Sequence, residues 1–221
     1  MHVSPEPQPP QSCADRVGAL LLAAGAGSRL GHRPKSALML DGVPLIRRHI
    51  MALLGAGLQD VVVVLGHHAA DLEPLIQDFP VTRVYNPDPD AGQVSSLRWG
   101  LQAFLSPVDA VLVSLADLAL IDSQDIRDVL HAYAERPVHT EVVVPTVQGL
   151  PGNPVVFSQA VRQSLLAQAE HVGCKDWQAQ HPVAVHHWIT HNQNYRTDMD
   201  TPQDIDMLAR TTGQRLQWPT T

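Results

Sequence analysis

The sequence predicts an α/β domain built on a mostly parallel sheet with helices on both faces. Three observations carry this expectation. Short aliphatic and β-branched runs alternate with helically spaced apolar residues from Val17 to Tyr133. A glycine-rich turn follows the first run directly. The 221 residues, 44% of them hydrophobic, suffice for one sizeable core, and nothing forces a second domain.

Taken in order, Val17–Ala24 is read as the first strand. In Pro44–Leu54 the residues Leu45, Ile46, His49, Ile50, Leu53 and Leu54 share one helical face. Asp60 introduces the β-branched run VVVVL, a short helix follows near Ala69–Gln77, and Val81–Tyr85 is strand-like. Val94–Leu105 is read as a helix with Leu97, Leu101, Phe104 and Leu105 at helical spacing and Ser95 or Ser96 placed to cap it. Ala110–Leu115 is a buried strand and Asp122–Tyr133 a helix. Beyond Glu141 the rhythm changes: Val142–Pro145 and Asn153–Phe157 flank a turn-like Gly149–Gly152 and predict a strand pair extending or crossing the sheet. Helical Gln159–Gln168 and the strand Val183–Trp188 come next. Thr201-Pro202-Gln203-Asp204 starts a last helix, with Thr as cap and Pro in the first turn. The expected organisation is a proline-rich tail over 1–16, a domain over 17–210, and a loose C-terminal tail over 211–221, which lacks periodicity.

Composition narrows the chemistry. A formal net charge of −7 without a basic stripe argues against a nucleic-acid partner. Cys13 and Cys174 are far apart with no C-x-x-C spacing, which fits a reducing cytoplasm, and no run approaches a membrane span. Of the twelve histidines, the pairs His67-His68 and His186-His187 lack zinc-ligand spacing and are read as structural or surface groups.

The turn in LLLAAGAGSRLGHRPKS, Leu20 to Ser36, is neither of two familiar phosphate loops. A P-loop needs Gly-Lys-Ser/Thr, whereas Gly31 precedes His32 and Lys35 sits behind Pro34. Gly25, Gly27 and Gly31 also miss the dinucleotide spacing by one residue. What remains is a loop whose amides can approach an anion, with Arg29 and Lys35 delivering charge. Ligands of open parallel sheets bind beyond the strands' carboxyl ends, where this chain also places Asn86-PDPDAGQ-Val94, Asp117, Asp198 and Asp200. Carboxylates beside a polyphosphate call for a hard divalent cation, and Mg²⁺ takes one or two carboxylates plus phosphate oxygens. Asp117 and Asp200 are the metal candidates; helix capping is the competing role for each.

An ordered set of motifs carries a family resemblance. LAAGAGSRLGHRPK runs into Leu40-Asp-Gly-Val-Pro-Leu-Ile46; then come Asn86…Gly92-Gln-Val-Ser-Ser-Leu97, Leu115-Ala-Asp117, Gly149-Leu-Pro-Gly-Asn-Pro154 and Asp198-Met-Asp-Thr-Pro-Gln-Asp204. Together, over Val17 to Arg210, they resemble the MobA-like NTP transferases, particularly the molybdenum cofactor cytidylyltransferase branch. The resemblance implies a single-domain Rossmann-like nucleotidyltransferase fold and Mg²⁺-dependent transfer of an NMP, first CMP from CTP, to a phosphorylated small molecule such as molybdopterin cofactor. It implies that Ala23, Ala24, Gly25, Ala26, Gly27 and Ser28 wrap the NTP phosphates and that Gly92, Ser95 and Ser96 lie near the nucleoside. Lys35 and Arg29 with Asp117 would form the catalytic set, and a molybdoenzyme or assembly factor would be a protein partner.

Three departures fall mostly in the acceptor half. Leu118-Ala119 follows Asp117 where relatives carry proline two residues on, Asn153 precedes Pro154, and Gly173-Cys-Lys-Asp-Trp177 replaces a G-D-x-G-A-R loop. Gly152, Asn153, Pro154, Lys175 and Trp177 are therefore the acceptor candidates. The rewritten loop keeps two alternatives open: a sugar- or alcohol-phosphate nucleotidyltransferase, and a nucleotide-binding regulator or assembly factor without turnover.

Overall fold

A computed structural model describes residues 15–219, so the proposed tail lies outside the described residues apart from Asp15 and Arg16. The chain forms, in order, β1 (Val17–Ala23), β2 (Met39–Leu40), β3 (Val43–Pro44), α1 (Leu45–Gly55), β4 (Val61–Leu65), α2 (Ala69–Leu72), β5 (Thr82–Tyr85) and α3 (Gln93–Gln102). It continues with β6 (Ala110–Leu115), α4 (Ser123–Ala134), β7 (Val142–Val147), β8 (Leu150–Pro151), β9 (Val155–Ser158) and α5 (Gln159–Ala167). The last elements are α6 (Cys174–Gln180), β10 (Val185–Thr190), α7 (Pro202–Thr212) and β11 (Leu216–Gln217). No helix among the described residues is long and apolar enough to cross a membrane.

The main sheet has the order β10-β7-β9-β6-β1-β4-β5, with β8 attached to β7. β1 pairs in parallel with β4 and β6, β4 with β5, and β7 with β10. The expected strand pair crosses the sheet: β9 runs antiparallel between β6 and β7. Alternation of side chains along a strand explains why both faces are covered. Ala19, Leu21 and Ala23 of β1 join a core with Ile46, Ile50 and Leu53 of α1 and Ile126 and Val129 of α4. Leu20 and Leu22 join the opposite core with Leu97 and Leu101 of α3 and Val161 and Leu165 of α5.

Several boundaries move for physical reasons. α3 ends at Gln102, so Leu105 leaves the apolar face and is 90% exposed. α3 starts on Gly92, which has no side chain to cap it, so Ser95 and Ser96 fall inside the first turn and bond Asn86 instead. Pro182 opens a short 3-10 turn, which delays β10 to Val185. The segment expected to be a loose tail is built into the domain: α7 runs to Thr212, and β11 pairs antiparallel with β2. Leu216 thereby closes a third apolar cluster with Leu30, Leu38, Leu40, Leu45, Met199 and Leu208. That small cluster braces the segment from which Lys35 projects.

Candidate functional site

The glycine loop leaves the carboxyl end of β1 and turns back through two 3-10 segments, Ser28–Leu30 and Lys35–Ala37. Gly27 has φ 61°, and a Cβ there would lie 2.0 Å from the carbonyl oxygen of Arg33. This glycine is therefore required by the fold of the loop itself. Among the described residues, the amides of Gly25, Ala26, Gly27 and Ser28 donate to no protein acceptor. Pro34 then sets Lys35 at the start of its turn.

Lys35 Nζ lies 2.5 Å from Asp117 Oδ2 and 2.6 Å from Asp200 Oδ1, while Arg29 Nη2 lies 2.6 Å from Asp200 Oδ2. Burial opposes the Lys35 charge, but the two carboxylates more than offset it and hold the ammonium above its ordinary pKa. Burial likewise works against the Asp200 carboxylate, yet Lys35 and Arg29 hold it below its ordinary value. Asp198 is pushed up, by burial first and by Asp117, Asp200 and Asp204 next. Asp117 Oδ1 is buried and has no hydrogen-bond partner.

The backbone fixes this constellation. Ala119 N donates to Thr197 O at 3.0 Å and Met199 N to Asp117 O at 3.1 Å, clasping the strand end of β6 to the segment before α7. A proline at position 119 could not donate the first of these bonds, which accounts locally for the departure after Asp117. The capping roles go elsewhere: Asp122 caps α4, and Thr201 with Asp204 caps α7. Neither Asp117 nor Asp200 spends its carboxylate as a cap.

Two clefts open here. One, of about 360 Å³, is lined by Ala23, Ala24, Gly25, Ala26, Lys35, Gly92, Ser96 and Asp117 among others. The second, of about 520 Å³, contains Gly152, Asn153 and Lys175, and shares Leu22, Gln93 and Leu115 with the first. Leu97, Val113, Val144 and Val155 give it apolar walls, and Lys175 is the cationic side chain among its lining residues.

Not every expected residue reaches a cleft. Gly27 and Ser28 lie outside the first, and Ser95 faces a different surface groove beside Trp99. Pro154 lines neither, being buried behind Asn153. Trp177 is 5% exposed, packs in the core beneath α3 and α5, and donates through Nε1 to Ser164 Oγ at 3.1 Å. Its acceptor assignment is thus corrected: the apolar ring faces the core and its polar edge is satisfied there. Arg33 stacks on Trp218, 3.8 Å from the ring, and takes no part in the first cleft.

Sequence reasoning missed Gly66, His67 and His68. His67 lines the first cleft, with Nδ1 at 3.1 Å from Ala24 O and Nε2 at 2.9 Å from Asp90 Oδ1. His68 Nε2 lies 3.1 Å from Ala26 O. The signal was present, since the strand-end rule applied to VVVVL points straight at Gly66-His67-His68.

Fold and site together define an α/β domain whose glycine loop, Lys35, Asp117 and Asp200 gather at the carboxyl edge of its sheet. Residues 19–185 match the MobA-like NTP transferase domain, and the chain belongs to that family. It is 27% identical over 148 residues to the bifunctional protein GlmU of Syntrophomonas wolfei, covering 66% of this chain and 32% of that protein. It is 37% identical over 101 residues to nicotine blue oxidoreductase of Paenarthrobacter nicotinovorans, covering 46% of this chain and 49% of that one. The chain thus spans about a third and about half of these relatives. Rv0371c of Mycobacterium tuberculosis shares the fold, with TM-score 0.74 and 21% identity over 90% of this chain and 100% of its own. A manganese complex of Rv0371c matches with TM-score 0.69 and 20% identity, covering 89% of this chain and all of its own.

Proposed function

We propose that the chain is a nucleotidyltransferase that moves an NMP from an NTP, by preference CMP from CTP, onto a phosphorylated small molecule, with a molybdopterin-type cofactor as first candidate. The observation that carries this reading is the meeting of Lys35, Asp117 and Asp200 beside a cleft lined by the glycine loop. Family membership supports the reaction class. The cytidylyl preference and the pterin acceptor rest on the motif resemblance alone.

The donor set fits a divalent cation. Asp117 Oδ1 is buried without a partner, and Asp200 reaches the same ammonium as Asp117. Among the described residues no group of three or more His, Cys, Asp or Glu could hold a metal. One or two carboxylates completed by phosphate oxygens is how Mg²⁺ is held at such sites. Asp117 and Asp200 would hold it, and when bound it would neutralise the phosphate charge that they otherwise repel.

The remaining chemistry belongs to the chain. The acceptor phosphate oxygen forms the new bond to the α-phosphorus as the bond to pyrophosphate breaks, so no protein nucleophile is used. The free amides of the glycine loop hold the phosphates in line, and Lys35 and Arg29 stabilise the charge that gathers on the leaving group. The second cleft receives the acceptor, with Gly152, Asn153 and Lys175 at its wall.

A different phosphorylated acceptor, such as an alcohol or sugar phosphate, is the second reading, favoured by the rewritten Gly173–Trp177 loop. Pyrophosphate release from each of the four NTPs with Mg²⁺ and a panel of acceptors tests both. Binding without release in every combination would leave a nucleotide-binding regulator. A bound NTP at 100 times its dissociation constant should stabilise the fold by about 2.7 kcal/mol.

A further inference from the structure

The turn after β4 grips the glycine loop at three points. A Cβ on Gly66 would lie 2.7 Å from Ala24 Cβ and 2.8 Å from Ala24 O, and 3.0 Å from Pro89 Cβ, so only glycine admits this approach. The ring of His67 bonds the carbonyl of Ala24, and that of His68 bonds the carbonyl of Ala26. The carbonyls on either side of Gly25 are therefore tied back, while the amides of Gly25 and Ala26 remain free for a ligand.

His67 carries a further constraint. Its two ring nitrogens face a backbone carbonyl and a carboxylate oxygen, and both of these groups only accept hydrogen bonds. A neutral imidazole has one N–H and can satisfy only one of them. The fully bonded form is the imidazolium, which joins the glycine loop to the Asp90 segment across the rim of the nucleotide cleft. The bond to the Ala24 carbonyl, and then that to Asp90, favour the charged form and place His67 above its ordinary pKa. The other charged groups lining the same cleft are Lys35, Asp90 and Asp117, and His68 with Asp71 lies on its own turn.

We infer that His67 is a positioning residue for the NTP phosphates: as an imidazolium it locks the glycine loop to the Asp90 segment and adds a cation to the cleft, so that nucleotide affinity falls as the ring loses its proton. This deepens, and rests on, the nucleotidyltransferase reading. The sign follows from the bonds. Below the raised pKa both links are made; as pH rises through it, one nitrogen turns a lone pair toward an acceptor and that link opens.

The test measures dissociation constants with Mg²⁺ between pH 5.5 and 9 for the wild type, His67→Gln and Asp90→Asn. The four NTPs are screened on the wild type, and the tightest binder is used for the series. Titration of the NTP itself is common to all three proteins. The expected result is a wild-type affinity that weakens by about fivefold more than that of His67→Gln across this range. Asp90→Asn should keep the dependence but shift its midpoint to lower pH, with unliganded melting temperatures close to wild type in both variants. Parallel pH courses for wild type and His67→Gln, with NTP binding intact, overturn the inference alone. Failure of all four NTPs to bind the wild type overturns the nucleotide reading and this inference with it.

Discussion

Asp117 and Asp200 face one another across a single ammonium group, that of Lys35, at 2.5 Å and 2.6 Å. The lysine side chain is only 18% exposed, so the arrangement does more than present a charge to solvent. Replacing Lys35 by Met should reduce turnover at least about tenfold, as expected for a group that stabilises transition-state charge. It should also lower the stability of the unliganded protein by about 1–3 kcal/mol, because two carboxylates lose their shared hydrogen-bond donor. Steady-state pyrophosphate release and urea melts check the two effects separately. Full turnover in the variant would remove Lys35 from the phosphate site.

Asp117→Asn keeps the shape of the side chain and removes one carboxylate from the cleft proposed to hold the phosphates. The thermal shift given by NTP with Mg²⁺ should fall to that given by NTP alone, and turnover should collapse. The Mg²⁺-free shift should stay the same or rise, since a repulsive charge has gone. An undiminished Mg²⁺-dependent shift would place the cation elsewhere.

His49 lies fully buried between α1 and β6, with Nε2 at 2.7 Å from Ser114 Oγ and Nδ1 without a partner. Burial pushes its pKa down to about 4 from 6.5. A depressed histidine binds its proton more readily when unfolded, so its contribution is complete above about pH 6.5 and is lost as pH falls toward 4. The protein should lose about 2–3 kcal/mol between pH 7 and pH 4.5 through this group. His49→Gln, compared by urea melts at both pH values, should show a correspondingly smaller acid loss. Equal losses would show that His49 is hydrated in the native state.

The Gly173–Trp177 loop divides into two jobs. Lys175 lines the second cleft, and in the nucleotidyltransferase reading Lys175→Ala should raise KM for the acceptor while leaving NTP affinity unchanged. Trp177→Ala should instead cost about 3–5 kcal/mol of stability, the range for emptying an aromatic core site. Trp177→Phe should cost less, losing chiefly the bond to Ser164. A Trp177→Phe variant of wild-type stability with a raised acceptor KM would return the ring to the acceptor site.

Alternation made the central strands legible, because Leu20 and Leu22 against Ala19, Leu21 and Ala23 already separate into two faces. Order along the chain placed Lys35, Asp117 and Asp200 together through the strand-end rule. What escaped depends on partners that no local window contains. Leu216 is ordered by Leu40, and the direction of Trp177 is set by Ser164. Ser95 and Ser96 read as caps, but the helix begins upstream on Gly92 and both hydroxyls meet Asn86. For His67 and His68 the missing metal spacing points to structural or surface groups; the strand-end rule gives their place, but the carbonyls of Ala24 and Ala26 that they bond leave no mark in the sequence.

The placement of β9 between β6 and β7 divides the main sheet into two blocks. β1, β4, β5 and β6 can register from residues 17–115 alone, each beside a strand or one crossover away. β7 does not border β6; β9, which follows it in the chain, lies between them and joins it to the sheet. The wall carrying the glycine loop thus belongs to the block built from residues 17–115, and the wall carrying Gly152 and Asn153 is attached to that block through β9. A block attached to its neighbour through one antiparallel strand can change its loops while the glycine-loop block keeps its own strand partners.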